Sequence, residues 1–129
     1  MRKIIAAILL VFLAGAHGCK SPDIVHVKLD SSRTVGLRMG QVLRLDLDSN
    51  ATTGYTWEIS ERSGLKTLKA KGRPRYVVPE SRLAGAGGYQ MFRFIPVRQG
   101  SAVIRFEYLR PWEKDTKPVK TFIVRVIIT

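Results

Sequence analysis

The sequence contains few of the residues on which most enzymes and metal proteins depend. Its 129 residues include one cysteine, Cys19, and two histidines. A single cysteine excludes an intramolecular disulfide, and a zinc site needs three or four Cys, His or acidic ligands. Beyond residue 18 the only histidine is His26, which alternation places in a surface strand, away from any candidate catalytic group. These absences argue against an enzyme and predict neither a metal nor a cofactor.

Long apolar runs are also missing, apart from one at the N-terminus. Residues 4–16 are apolar and follow Arg2 and Lys3, a pattern typical of an export signal. The run is shorter than the ~20 residues that cross a bilayer as a helix. We therefore predict a signal peptide over residues 1–18, a tether over residues 19–23 and one domain over residues 24–129.

The position of Cys19 resembles the processing site of a bacterial lipoprotein. Gly18 directly precedes the cysteine. The usual site has Leu three residues before the cysteine and a small residue two before it, whereas this chain has Ala16 and His17 at those places. The alternative is ordinary signal peptidase cleavage, which leaves a soluble protein with a free thiol. Lys20 follows the cysteine and, by the same resemblance, favours the outer membrane. The resemblance implies an exported protein of the bacterial envelope, lipid-anchored through Cys19 or else periplasmic.

Positive charge exceeds negative charge throughout the chain. The sequence has 22 Lys and Arg against 10 Asp and Glu, a formal net charge of +12. A field of this sign speeds encounter with acidic partners. The basic residues are scattered without a compact block, which favours a solvated face over a nucleic-acid track. The acidic pair Asp46 and Asp48 is likewise predicted to be solvated.

Apolar and polar residues alternate with the period of β-strands. Leu43, Leu45 and Leu47 share one predicted face, and Arg44 with Asp46 shares the other. No helical spacing of apolar residues occurs outside the N-terminal run. About seven short strands separated by turn signals, in about 110 residues, predict an all-β, immunoglobulin-like antiparallel β-sandwich.

Three turn-like patches separate these strands. Residues 50–57 read Asn-Ala-Thr-Thr-Gly-Tyr-Thr-Trp, residues 85–88 read Gly-Ala-Gly-Gly, and residues 110–112 read Arg-Pro-Trp. Glycine at such places permits a positive φ or a close backbone approach. Trp and Arg are enriched in binding hot spots. Each patch alone is a weak signal, and none contains a catalytic dyad.

Taken in order and spacing, the three patches resemble the chagasin family of cysteine protease inhibitors. That family carries an Asn-Pro-Thr-Thr-Gly-Tyr/Phe-x-Trp loop, a Gly-x-Gly-Gly loop and an Arg-Pro-Trp/Phe loop. The resemblance covers the chain from about Val42 to Ile128. It implies a β-sandwich whose three loops gather at one end and block the active-site cleft of papain-like cysteine proteases. It also implies a reversible, tight-binding inhibitor that acts as a monomer and binds no nucleic acid.

The resemblance also assigns roles to single residues. A central wedge over the catalytic cysteine is implied for Thr52, Thr53, Gly54 and Tyr55, and contact with the protease is implied for Asn50 as well. One flank is implied for Gly85, Gly87 and Gly88, and the other for Arg110, Pro111 and Trp112. Trp57 matches the last position of its motif and is interpreted as core support.

One residue departs from the family motif, because Ala51 stands where the family has proline. Proline restricts the backbone, and where the conformation suits it this is worth ~0.4–1 kcal/mol. We therefore expect Ala51 to weaken affinity severalfold without changing the binding mode.

A second class of function is compatible with the same residues. An immunoglobulin-like envelope module could bind an acidic protein, a glycan or a polyanion, with loops that only resemble those of the inhibitors. A steep dependence of binding on salt separates this alternative from a loop-in-cleft complex.

Overall fold

The computed structural model describes residue 18 and residues 21–61, 63–80 and 87–129. Cys19 and most of the predicted signal peptide lie outside the described residues. Nine strands are present: β1 Ile24–Leu29, β2 Arg33–Leu37, β3 Val42–Ser49, β4 Thr56–Glu61, β5 Leu68–Ala70, β6 Arg75–Val77, β7 Gly88–Pro96, β8 Gly100–Leu109 and β9 Lys120–Ile128. Two short 3-10 turns, Ala51–Thr53 and Ser63–Lys66, are the helical elements of this part of the chain. None of the described helical segments has the length and apolar character needed to cross a membrane.

The strands form two packed sheets, which confirms the predicted all-β sandwich. The first sheet has the order β1-β3-β7-β5, with β6 also paired to β7, and the second has the order β2-β9-β8-β4. The strand count exceeds the predicted seven because β5 and β6 are three-residue strands in a region of weak alternation.

Two strand pairs are parallel, where the sequence predicted a wholly antiparallel sandwich. They are β1 with β3 and β2 with β9. The chain reverses after β1 to enter the second sheet as β2, and reverses again to return as β3. Two reversals make β3 run in the direction of β1. Alternation in the sequence shows which face of a strand is buried, but it does not show the direction of its neighbour.

The core lies between the sheets and follows the predicted alternation. Leu43, Leu45 and Leu47 are 0% exposed, and Phe92 and Phe94 of the paired strand β7 lie beside them on the same inner face of the first sheet. The second sheet contributes buried residues from each of its four strands: Val35, Leu37, Trp57, Ala102, Ile104, Phe106, Tyr108, Val124, Val126 and Ile128. Full burial of a large apolar side chain stabilises the fold by ~1.5–3 kcal/mol. Because the core and all nine strands lie within residues 24–128, a chain that begins at Lys20 retains every one of these contacts.

The acid Asp46 is not solvated, so the prediction for this residue was wrong. It is 7% exposed, although it lies on the outer face of the first sheet. His26 Nε2 lies 2.6 Å from its carboxylate, and Arg44 donates two hydrogen bonds of 3.0 Å to it. The same carboxylate raises the pKa of the Arg44 guanidinium. Asp48 remains exposed and forms an ion pair of 3.6 Å with Lys28.

Candidate functional site

The strand registers bring the three patches to one end of the sandwich. Ser49, the last residue of β3, pairs with Gly88 at the start of β7. In the second sheet Thr56 pairs with Leu109, and Tyr108 pairs with Lys120. The central loop (residues 50–55), the tryptophan loop (residues 110–119) and the described part, residues 87–88, of the glycine loop (residues 85–88) therefore lie at the same end. Gly85 and Ala86 lie outside the described residues, whereas Gly87 and Gly88 lie within them.

The central loop is held in shape by its own side chains. Asn50 Oδ1 accepts hydrogen bonds from the backbone N–H and the hydroxyl of Thr52, at 3.2 and 2.6 Å. Thr53 donates its hydroxyl to the Asn50 carbonyl at 2.7 Å. Gly54 ends the 3-10 turn with φ of 78°, in the left-handed region that favours glycine. Asn50, which the motif predicts as a binding residue, is the cap of this turn within the domain.

Buried aromatic residues support the central loop from below. Trp57 is 3% exposed, which confirms its interpretation as core support, and its ring stacks on Tyr108 at 4.8 Å. The Trp57 indole donates to the Asp48 carbonyl at 2.8 Å. Tyr108 in turn accepts a hydrogen bond from the Asn50 backbone N–H at 3.1 Å. Alternation with Ala102, Ile104 and Phe106 predicts Tyr108 only as a core residue, because alternation gives the face of a residue but not the partner of its hydroxyl.

The tryptophan loop is fastened to the central loop. Arg110 donates from Nε to the Thr53 carbonyl at 3.1 Å, and its guanidinium lies 4.4 Å from the centre of the Tyr55 ring. Glu113 accepts from the same guanidinium at 3.1 Å. The sequence had predicted Glu113 only as one of two acids after Trp112. Its position three residues after Arg110 is the signal that points to the pair.

Trp112 is the most exposed large apolar side chain described, at 66%. Its ring nevertheless lies against Gly54, since a Cβ added to that glycine would stand 2.2 Å from Trp112 Cη2. Pro111, beside it, is exposed. The structure therefore brings together the predicted wedge and the predicted Arg-Pro-Trp flank as one surface.

The described glycines of the glycine loop pack within the domain. Gly87 has φ of 77°, and a Cβ there would lie 3.0 Å from the Ser49 carbonyl. A Cβ on Gly88 would stand 2.1 Å from the Val77 carbonyl, so β6 can approach β7 only because Gly88 lacks a side chain. Both glycines are thus required by the fold of the loop end. Their contact with a partner stays a prediction.

Ala51 lies at the first position of the 3-10 turn, where proline is well tolerated. Its backbone N–H points to the Tyr76 hydroxyl at 3.4 Å, a long hydrogen bond that proline could not form. The predicted effect of Ala51 on affinity is untested.

The site is a surface of exposed loop residues supported by a rigid base. Among the described residues no group of three or more His, Cys, Asp or Glu is placed to hold a metal ion. Among the described residues of the three sequence motifs, the exposed ones that carry side chains are Ala51, Thr52, Thr53, Pro111 and Trp112. Such an arrangement can bind a partner through shape, apolar contact and backbone hydrogen bonds.

Comparisons with known proteins identify relatives with this arrangement of strands. The sequence profile described as "Chagasin family peptidase inhibitor I42" matches residues 36–126. Chagasin of Trypanosoma cruzi is 28% identical over 103 residues, which cover 75% of this chain and 90% of that protein.

Solved structures share the fold. The crystal structure of a cysteine protease inhibitor from Entamoeba histolytica aligns with a TM-score of 0.70 at 22% identity, covering 83% of this chain and 96% of that chain. An inhibitor solved in complex with falcipain-2 aligns with a TM-score of 0.54 at 19% identity, covering 83% and 99% of the two chains.

The contact between Gly54 and Trp112 gives a prediction about loop geometry. Gly54→Ala should displace the Trp112 ring, because the added methyl group would overlap it and the exposed ring can rotate away. Gly40→Ala is the matched control, since Gly40 also has a positive φ (89°) but has no atom within 4 Å of its added Cβ. Both variants should lose ~1–2 kcal/mol of unfolding free energy through backbone strain, measured in urea. Only Gly54→Ala should shift the Trp112 indole N–H resonance, and an unchanged resonance in that variant would contradict the contact.

Proposed function

This chain belongs to the chagasin family of peptidase inhibitors, and we propose that its three loops occupy the active-site cleft of a papain-like cysteine protease. The chain is a cysteine protease inhibitor and not an enzyme. One observation carries the assignment of the site: the central and tryptophan loops are locked to each other at one end of the sandwich, through Arg110 and through the contact of Trp112 with Gly54.

In this proposal the central loop enters the cleft as a wedge over the catalytic cysteine of the protease. The wedge consists of Thr52, Thr53, Gly54 and Tyr55. Its internal hydrogen bonds, centred on Asn50, already hold the loop in one conformation. Binding then costs little ordering of the loop, because rigid segments lose less conformational entropy on association.

The two flanking loops contact the protease on either side of the wedge. Gly85, Gly87 and Gly88 bring backbone close to one side of the cleft. On the other side Pro111 and Trp112 make the direct contact. Arg110 acts chiefly by positioning, because its guanidinium is already engaged by Thr53, Tyr55 and Glu113. Inhibition of this kind is reversible, and one domain acts as a monomer.

We further propose that the inhibitor is exported to a bacterial envelope and carries lipid on Cys19. Support comes from the apolar run of residues 4–16 and from the Gly18-Cys19 junction. A single acyl chain gives only marginal membrane binding, so stable attachment needs a second chain or a second contact.

Titration of papain with the domain that begins at Lys20 tests the inhibitory function. Activity should fall linearly to zero at one domain per active protease, because the rigid loops bind tightly as a unit. After dissociation the domain should be recovered uncleaved, as shown by its mass. Full protease activity at micromolar concentrations of the domain would refute the proposed function.

Removal of the exposed indole tests the proposed role of Trp112. Trp112→Ala should raise the inhibition constant about 30-fold, as expected for a hot-spot truncation worth ~2 kcal/mol. Ile127→Ala is the matched control, since Ile127 is also exposed (40%) but lies on β9 at the opposite end. Its inhibition constant should not change. Equal inhibition by the Trp112 variant and the parent, with the same urea midpoint, would remove Trp112 from the binding surface.

Metabolic labelling tests the lipid on Cys19. The full chain expressed in a bacterium that processes lipoproteins should incorporate radioactive palmitate, and Cys19→Ala should not. Labelling is read on the mature protein after gel separation. Absence of label from the mature parent protein would exclude the anchor.

A further inference from the structure

A strip of four cations lies on the outer face of the first sheet. Outward residues alternate along β7, and they include Met91, Arg93 and Ile95. Arg93 is itself a cation. Ile95 pairs with Lys69 of β5, and Met91 pairs with Arg75 of β6. Lys71 donates its backbone N–H to the Arg93 carbonyl at 2.8 Å, directly beyond β5. The basic strip comprises Lys69, Lys71, Arg75 and Arg93.

The charge of the basic strip is not compensated within the described part of the domain. None of the described carboxylates forms an ion pair with any of the four cations. The two acids on the same sheet face have other cations beside them: Asp46 is paired with Arg44 and His26, and Asp48 is paired with Lys28. Lys69, Lys71 and Arg75 are exposed, and Arg93 is half-buried. The strip thus presents positive charge to whatever lies against this face.

The basic strip extends toward the end of the sandwich opposite the three loops. Ile24 pairs with Val42 in β1 and β3, and the next row of the sheet pairs Leu43 with Phe94. Lys69 pairs with Ile95, one residue farther from the loops than Phe94. Ile24, at the start of β1, and Lys69, the first residue of the strip, therefore lie in the same cross-strand row of the sheet. Three strand spacings, or about 14 Å, separate them.

The N-terminal attachment point is confined to the same end. Four residues lie between Cys19 and Ile24, and the five steps from one Cα to the other reach at most about 17 Å when fully extended. The eight-residue strand β3 runs from this row to the loop end, a length of about 23 Å. A membrane surface that holds Cys19 is therefore within reach of the strip, whereas the tether is shorter than the distance to the loops.

We propose that the basic strip binds an anionic membrane surface through phospholipid headgroups and holds the domain by the outer face of its first sheet, which leaves the three loops at the end of the sandwich uncovered. The strip adds a protein contact with the bilayer to the proposed lipid on Cys19. Each cation near an anionic surface contributes about fivefold to binding. The lipid contact does not depend on protease inhibition, but the functional meaning of the orientation rests on the proposed function.

Vesicle binding by the domain that begins at Lys20 tests the lipid contact without the anchor. The parent domain should sediment with vesicles of phosphatidylglycerol and phosphatidylcholine in equal parts, but not with phosphatidylcholine alone. The triple variant Lys69→Gln, Lys71→Gln, Arg75→Gln should bind about 100-fold more weakly. Its matched control is Arg33→Gln, Arg105→Gln, Arg125→Gln, which removes the same charge from exposed positions of β2, β8 and β9 in the second sheet and should bind within about threefold of the parent.

Two outcomes would overturn the proposal. Equal loss of vesicle binding in both triple variants would mean that binding depends on the total charge of the domain and not on the strip. Binding of a single-stranded oligonucleotide that needs the strip, with no binding to anionic vesicles, would mean that the partner is a nucleic acid. Urea unfolding of both variants, with midpoints equal to that of the parent, shows that the losses are not due to misfolding.

Titration of papain on vesicles tests the orientation separately. Domain bound to anionic vesicles should inhibit papain at the same stoichiometry as domain in solution, and papain should sediment with the vesicles. Inhibition in solution that disappears on vesicles would refute the orientation. If papain is not inhibited in either case, the proposed function fails, while the sedimentation result still decides the lipid contact.

Discussion

The position of the binding loops depends on the aromatic stack that closes one end of the sandwich. Trp57 lies between Tyr108 and Phe122, with ring centres 4.8 and 4.9 Å away. Such pairs contribute ~0.5–1.5 kcal/mol each beyond the apolar area that they bury. The polar edges of the same stack also bind backbone, since the Trp57 indole donates to Asp48 and the Tyr108 hydroxyl accepts from Asn50. The same aromatic residues therefore pack the core and hold the central loop in place.

From this base the loops are joined to each other as well as to the sheets. Arg110 links the tryptophan loop to the carbonyl of Thr53, and Gly88 allows β6 and β7 to meet beneath the start of the central loop. A surface assembled in this way is ordered before it meets a partner. Its residues divide into those proposed to touch the partner, such as Trp112, and those that hold the others in place, such as Asn50 and Arg110.

Much of the fold was predictable from the sequence, since alternation identified the inward residues of β3, β7, β8 and β9. The parallel strand pairs and the short strands β5 and β6 could not be predicted from the sequence. Hydrophobic periodicity does not indicate the direction of strand pairing, and three residues are too few to show a period. The motifs located the loops correctly. They did not reveal that Asp46 is buried, because its contact with His26, twenty residues earlier, exists only in the folded sheet. Nor did the sequence show that Arg110 is occupied within the domain.

The parallel pairing of β1 with β3 places the start of β1 at the end of the sandwich opposite the three loops. Because β1 runs in the direction of β3, the chain enters the sheet at the end farthest from the loop that follows β3. An antiparallel β1 would have begun beside the loops and placed the N-terminal attachment next to the protease-binding surface. The basic strip lies on the outer face of the first sheet, toward the end at which the chain enters it. The first sheet and the core separate the strip from the second sheet. The topology therefore allows attachment at one end and inhibition at the other without competition between them.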